Sequence, residues 1–426
     1  MRLRLLDRIR EGRRPLYANQ GVGQLSHGLA APFVPYYATR LGATTADLGW
    51  LQAFSNLFPN VLQMPWAWLS DRVGRRVPFL VLGGVLSSLL FLLMAASVSA
   101  WQLILVVLLQ AIATSMVVPN WSALLGEKTA FEGRGRVFGR LSQVGGVAAL
   151  GGTILAAFIV FQSPPTAAAA FHLPFIIAAL VGALGATFLI LVGESARAAT
   201  SGATTRTEPV DPERHADFLY FVKSQSLYNF FMSLAWPLIP ITVAVVLGAS
   251  NLDIVMITVV AAVSTVLLQT QVGRLLDKVG PAALIKASRF LFVLVPLAYG
   301  LAHDLWVVYA VTALMGVPTA IVNIAFNAYV LDVAPKAKRA EYFGLFNGAI
   351  GVVTFAGTVL GGYLARLFEG ILADLWAGLL LVYILSFVGR SVGAFLTLRI
   401  QDPTRYPESI DQVWRRFEHH LVNGRH

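Results

Sequence analysis

The stretch LSDRVGRRVP, Leu69 to Pro78, holds four charged side chains, Asp71, Arg72, Arg75 and Arg76, inside an otherwise apolar sequence. AFSNLFPNVLQMPWAW (53–68) precedes it, and FLVLGGVLSSLLFLLMAA (79–96) follows it without a charge. A helix crosses the hydrocarbon layer of a bilayer in about 20 mostly apolar residues. A tight charged turn between two such runs therefore reads as a loop at a membrane surface. A similar turn, LLDKVGPA (275–282), is written again in the second half.

The rest of the composition agrees. The 426 residues are 57% hydrophobic and 13% charged, with a mean hydropathy of +0.69. Ordinary soluble domains carry roughly 25% charged residues, so this chain has too little polar surface to cover itself in water. The net charge of +10 falls in short clusters between apolar runs, which points to anionic lipid headgroups and excludes nucleic acid as a partner. With no cysteine, disulfides, thiol catalysis and cysteine metal sites are excluded. No metal or cofactor is expected. The N-terminus lacks the apolar core of a cleaved signal. Leu3, Leu6 and Ile9 would instead lie on the inner membrane surface.

Hydropathy predicts twelve spans, near 16–38, 46–69, 77–96, 101–125, 137–161 and 172–192, then 218–246, 252–275, 281–301, 305–330, 342–367 and 375–398. The outer loops hold Arg40 and Arg366, while the termini and alternate loops hold nearly all other lysines and arginines. Both termini are therefore expected in the cytoplasm. The expected organisation is a cytoplasmic segment 1–15, a bundle 16–193, a polar linker 194–216, a second bundle 217–399 and a cytoplasmic tail 400–426. In that tail Ile410, Val413, Trp414, Phe417 and Leu421 make an apolar stripe suited to lying flat on the membrane.

The halves repeat. A shift of 205 carries Gln20 to Gln225, Pro32 to Pro237, Pro35 to Pro240, Glu127 to Asp332 and Gly152-Thr153 to Gly357-Thr358. A shift of 206 carries Leu41-Gly42-Ala43 to Leu247-Gly248-Ala249, Asp71 to Asp277 and Gly74 to Gly280. Agreement of proline, glycine and acidic positions at nearly one offset marks two parallel six-span repeats.

AWLSDRVGRR (67–76) resembles the loop between spans two and three of the major facilitator superfamily, with Ala67 where that family has its first glycine. GRLLDKVGPA (273–282) is the second copy, without the basic pair. The resemblance covers essentially the whole chain. It implies an all-α integral membrane protein, twelve helices in two pseudo-symmetric six-helix bundles. It further implies a cytoplasmic gate in which Asp71, with Arg72, Gly74 and Arg75, latches the outward-facing state. Asp277 and Gly280 would be the counterparts. Glu127, Arg134 and Arg136 from GEKTAFEGRGRVFG, with Asp332 and Arg339 from the copy, would join them, although each also reads as an ordinary loop charge.

Polar residues inside spans face the bundle interior or glue helices together. Gln20, Gln24, His27, Asn56, Asn60, Thr114, Gln225, Asn229, Trp236, Gln269, Asn323 and Asn327 form the candidate substrate set. By the resemblance, spans 1, 2, 4, 5, 7, 8, 10 and 11 line the cavity. Arg289 and Arg390 fall in the outer spans and are expected to snorkel to the inner interface. His27 reads equally as a substrate contact, a structural residue or a proton carrier.

Three departures weaken proton-driven cation export. Val107 stands where many proton-coupled members have an arginine, QVGGVAALGG lacks a proline, and no carboxylate lies deep in the lining spans. PFVP (32–35) does resemble the end of an efflux signature. The expected function is a secondary or facilitative transporter of a small organic solute, with efflux open and a proton admitted as coupling ion. A monomer in the inner membrane is expected. A lipid or lysolipid transporter is the alternative, followed by a receptor. An intramembrane enzyme would need a nucleophile–base pair, which is not seen, and no G-x-x-x-x-G-K-[ST] loop points to ATP drive.

Overall fold

The computed structural model describes residues 14–128, 134–164, 166–192, 211–335 and 338–402. The described residues contain helices and no strand, since a helix satisfies its backbone internally where a bilayer offers no water. Twelve spans follow in order. α1 runs through Arg14–Ala30, a 3-10 turn at Ala31–Phe33 and Val34–Arg40. α2 joins Thr45–Val61 to Gln63–Val73. Then come α3 (Val77–Ala95), α4 (Ala100–Lys128), α5 (Arg134–Phe161) and α6 (Ala168–Leu191). The second set is α7 (Pro212–Val246), α8 (Asn251–Val279), α9 (Pro281–Gly300), α10 (Leu305–Val333), α11 (Arg339–Leu372) and α12 (Leu375–Thr397). Ten of them, α3 to α12, contain stretches long and apolar enough to cross a membrane. The chain is a multi-pass membrane protein.

One boundary differs from the sequence expectation. α7 starts at Pro212, inside the stretch 194–216 read as linker. Proline at the first helical position is preset for the helix, and the Asp211 carboxylate accepts the Glu213 N–H at 3.1 Å. The apolar stripes expected at Leu3 to Ile9 and Ile410 to Leu421 lie outside the described residues.

The repeat reaches the backbone. Thr44 caps α2 through a reciprocal box with Asp47, and Ser250 caps α8 through the same box with Asp253, 206 residues on. Gly42 and Gly248, at φ +80° and +63°, turn the chain into those caps, a conformation in which a Cβ is strained. A Cβ on Gly152 would collide with the Leu25 carbonyl. On Gly357 it would collide with the Phe230 carbonyl, the residue 205 after Leu25. Thus α1 rides on α5 as α7 rides on α11, backbone against backbone.

Between the halves, α2 packs along α11 and α5 along α8. The apolar core is distributed unevenly with depth. On the side away from the termini, here the far side, one cluster takes residues from both halves, among them Leu29, Tyr37, Phe175, Leu234, Ile254 and Tyr383. On the side carrying the basic loops, one cluster lies in the second half around Phe221, Ile285 and Tyr329, and another in the first half around Leu16, Leu80 and Leu124.

Candidate functional site

Among the described residues, three cavities inside the helix bundles concern the candidate set. One, about 500 Å³, lies in the first half and is lined by Gln20, Gln24, His27, Ser87, Gln110 and Thr114, among others. A neighbour of about 240 Å³ shares His27, Gln110 and Thr114 and adds Gln52 and Ser55 of α2. The third, about 470 Å³, lies in the second half and includes Asn229, Trp236, Thr265, Arg289, Phe292, Met315, Thr319 and Arg390.

The first and third are repeats of one another. Adding 205 to Gln24, His27, Gly84, Ser87, Gln110, Thr114 and Val117 gives Asn229, Met232, Arg289, Phe292, Met315, Thr319 and Val322, and every one lines its cavity. The chemistry has diverged on a common frame. His27, Ser87 and Gln110 make the first-half cavity polar and hydrogen-bonding. Met232, Phe292 and Met315 make the second-half walls apolar, and Arg289 brings a cation where the first half has Gly84.

The expectation that Arg289 and Arg390 snorkel is corrected. Each is 2% exposed. Both stand on the faces of α9 and α12 turned into the bundle, so their guanidinium groups reach the cavity rather than the interface. Gln225 is corrected with them. It is fully buried at 0% exposure, its Oε1 accepts from Arg289 Nε at 2.8 Å and its Nε2 donates to Thr397 Oγ1 at 3.3 Å. It positions Arg289 and does not line any of the three cavities.

Two prolines explain the seat of Arg390. Pro296 has no N–H to give the Phe292 carbonyl four residues back. Before Pro237 the chain tightens, and the Trp236 N–H turns to Ser233 instead of Met232. Both carbonyls thus lie open to a second donor, and Arg390 donates to each at 3.0 Å. Its Nε, equally buried, has no partner among the described residues.

Of the other candidates, Gln20, Gln24, His27 and Thr114 gather in the first half, and Asn229 and Trp236 in the second. Asn56 and Asn60 turn their amides back to the carbonyls of Gln52 and Asn56, and Asn60 packs at the α2–α11 seam against Gly351. Gln269 is half-buried on α8, outside the three cavities. Asn323 and Asn327 are exposed on α10, joined at 3.3 Å.

On the basic side the Asp71 carboxylate, 62% exposed, accepts from Arg76 at 2.9 Å within its own turn. Gly74 closes α2 at φ +69°, and Gly280 at φ +81° closes α8. Arg72 stacks over Trp68, while Arg75 and Asp277 are exposed and Asp332 is half-buried. Arg339 donates to the Leu331 carbonyl at 3.3 Å. The side chains of Glu127, Arg134 and Arg136 lie outside the described residues.

The far side carries a contact the sequence reading missed. Arg40 donates to Asn251 Oδ1 at 3.0 Å and to the Ala249 carbonyl at 2.6 Å. Asn251 Nδ2 in turn donates to the Ala167 carbonyl at 2.9 Å. Thr45 bonds the Gly362 carbonyl at 3.0 Å, and Trp50 bonds the Tyr363 hydroxyl at 3.2 Å. Each of these crosses between the halves. The available signal was Arg40 itself, one of two basic residues in the outer loops.

Comparison with known proteins agrees with this architecture. The profile of the Major Facilitator Superfamily matches residues 16–233 and 222–422. An uncharacterized MFS-type transporter of Methanocaldococcus jannaschii is 23% identical over 383 residues, which is 85% of this chain and 92% of that protein. The fold is similar to the nucleoside transporter NupG, with a TM-score of 0.67 at 11% identity, covering 91% of this chain and 98% of the other. It is similar to a POT family transporter in complex with 5-aminolevulinic acid, with a TM-score of 0.68 at 14% identity and coverage of 92% and 96%. A bacterial homolog of the human lysosomal transporter Spinster, inward-facing and occupied, gives 0.63 at 17% identity, with 94% and 97% covered.

Proposed function

The chain belongs to the major facilitator superfamily, and from that premise we propose that it carries a small organic solute across the membrane by alternating access, with the far side closed in the state described above. The observation behind this reading is the division of the core, one far-side cluster shared by both halves and a separate basic-side cluster in each. Rocking of two rigid bodies needs a seam that parts on one side while it stays packed on the other. The Arg40 contacts clamp the packed side. In this reading the basic side faces the cytoplasm of an inner membrane, with both termini there. Solute then enters from the cytoplasm between the halves, the direction suited to export. His27, the ionisable group lining the first-half cavities, is where a proton would couple.

The chain has no cysteine, so introduced thiols report without background. The double variant Arg40→Cys/Asn251→Cys, reconstituted in liposomes and bridged by a short bis-methanethiosulfonate, tests the reading. Counterflow of a labelled sugar, amino acid, lipophilic cation and carboxylic acid is compared before and after bridging. The expected result is exchange of one class, stopped by the bridge and recovered on reduction. Exchange that proceeds unchanged through the bridged protein overturns the mechanism. A cooperatively melting protein that exchanges none of the four overturns the function.

A further inference from the structure

Arg289 and Arg390 are two buried cations with no carboxylate partner among the described residues. A buried guanidinium without a counter-ion loses its hydration, so the fold must either compensate fully or leave the charge for something else. The compensation here is partial. Among the described residues the Arg289 guanidinium has one hydrogen bond, from Nε to Gln225, and lies over the rings of Tyr228 at 4.2 Å and Phe326 at 4.7 Å. Those ring faces favour a cation but accept few of its five N–H groups. Arg390 gives two N–H groups to the carbonyls released by the prolines and keeps a buried Nε with none. Both residues line one cavity of about 470 Å³.

We infer that this cavity binds an organic anion, its carboxylate or phosphate oxygens held by Arg289 and Arg390 and its apolar body lying against Phe292, Met315 and Trp236. Planar guanidinium groups match such oxyanions through paired, charge-assisted hydrogen bonds, and an anion supplies the acceptors that the protein withholds. The wall chemistry selects the body: Met232, Phe292 and Met315 stand where the first-half cavity has His27, Ser87 and Gln110. The asymmetry supports a ligand role over a structural one. The repeat builds the same frame in the first half with Gly84 and Gly185 at the two arginine positions, so the fold does not require a cation there. That the anion is the transported solute rests on the carrier reading above. The binding site does not.

The test uses the full chain in nanodiscs of phosphatidylcholine, which carry no net charge. Octanoate and octyl phosphate are compared with octanamide, which has a similar body without the charge, by thermal melting and by titration. Both anions are expected to raise the melting temperature, with octanamide binding at least about tenfold more weakly. Equal shifts from octanoate and octanamide, or none from any probe, overturn the inference without any variant that has to fold. Arg390→Lys, which keeps the charge and loses the fork, is expected to weaken octanoate more than it lowers the melting point of the empty protein. Equal affinity in that variant counts against the site. Repeating the titration with phosphatidylglycerol in the disc separates the sources. Loss of the octanoate shift assigns the site to a lipid headgroup, and a preserved shift assigns it to a dissolved solute. Counterflow of labelled octanoate tells the two readings apart. Binding without counterflow upholds the site and counts against the carrier, while counterflow of a neutral solute with no anion shift does the reverse.

Discussion

Arg40 and Asn251 meet at 3.0 Å across the boundary between the halves, and Asn251 passes the contact on to the Ala167 carbonyl. One arginine thus ties α1 to the start of α8 and, through it, to the loop before α6. A hydrogen-bonded, partly buried charge of this kind contributes about 1.5–3 kcal/mol. In a two-state carrier that energy favours closure of the far side.

Arg40→Ala should shift the population toward far-side opening by about tenfold or more. An impermeant maleimide applied from the far side reads this directly at Ile239→Cys, inside the second-half cavity. Labelling should be correspondingly faster in the Arg40→Ala background. An unchanged rate would show that the clamp is decorative.

Asp71 pairs with Arg76 in an exposed turn, and such pairs contribute about 0–1 kcal/mol. Asp71→Asn should therefore leave the melting temperature almost unchanged. If Asp71 latches the opposite state, counterflow of whatever solute the parent protein exchanges should still fall, by about tenfold or more. Normal counterflow by the folded variant would remove Asp71 from the gate.

The neighbouring glycines 151 and 152 should behave oppositely. At Gly151 a Cβ meets the tip of Leu25 at 3.9 Å, whereas at Gly152 it meets the Leu25 carbonyl. Gly151→Ala should be neutral or stabilising by about 0.5–1 kcal/mol from helix propensity. Gly152→Ala should destabilise by about 1–3 kcal/mol by forcing α1 off α5. Thermal melts of the two single variants decide it, and equal melting points would mean that the close approach is absent.

Asp402 caps α9, its carboxylate accepting the Ala282 N–H at 2.8 Å. Burial holds this carboxyl above its ordinary value, against the pull of that N–H and of Lys286, with Asp332 pushing the same way as burial. A carboxyl raised in the folded state contributes stability that is complete below its unfolded pKa of about 3.9 and declines as pH rises through the folded value. Asp402→Asn, which keeps the acceptor without the charge, should melt no lower than the parent at pH 7.5, with any gap closing on acidification. Asp402→Ala should lose about 1 kcal/mol at pH 7.5 through the missing cap. An asparagine variant as damaged as the alanine one at pH 7.5 would refute the burial argument.

Much of this architecture is legible in the residues. Hydropathy counts the spans because the bilayer imposes a minimum apolar length on each. Capping and glycine patterns repeat because the two halves solve one local problem twice, as Thr44 and Ser250 or Gly152 and Gly357 show. The site was less legible. Gln24 and Asn229 stand out as polar residues in apolar helices, but no local pattern tells that Gln225 joins Arg289 and Thr397 between helices rather than lining a cavity.

The sequence by itself therefore determined twelve helices, their pairing into repeats and the basic side. Hydropathy and spacing depend on which residues neighbour each other along the chain. What only the tertiary structure decided is how each helix is rotated about its axis and on which side the two halves share a core. Spacing along the chain places Arg289 and Arg390 in α9 and α12 but does not name the groups that receive them. Arg289 is received by Gln225 and Tyr228 of α7 and Phe326 of α10, and Arg390 by carbonyls that prolines release on α7 and α9. The far-side contact between the halves likewise joins Arg40 and Asn251, 211 residues apart, a distance no local pattern spans.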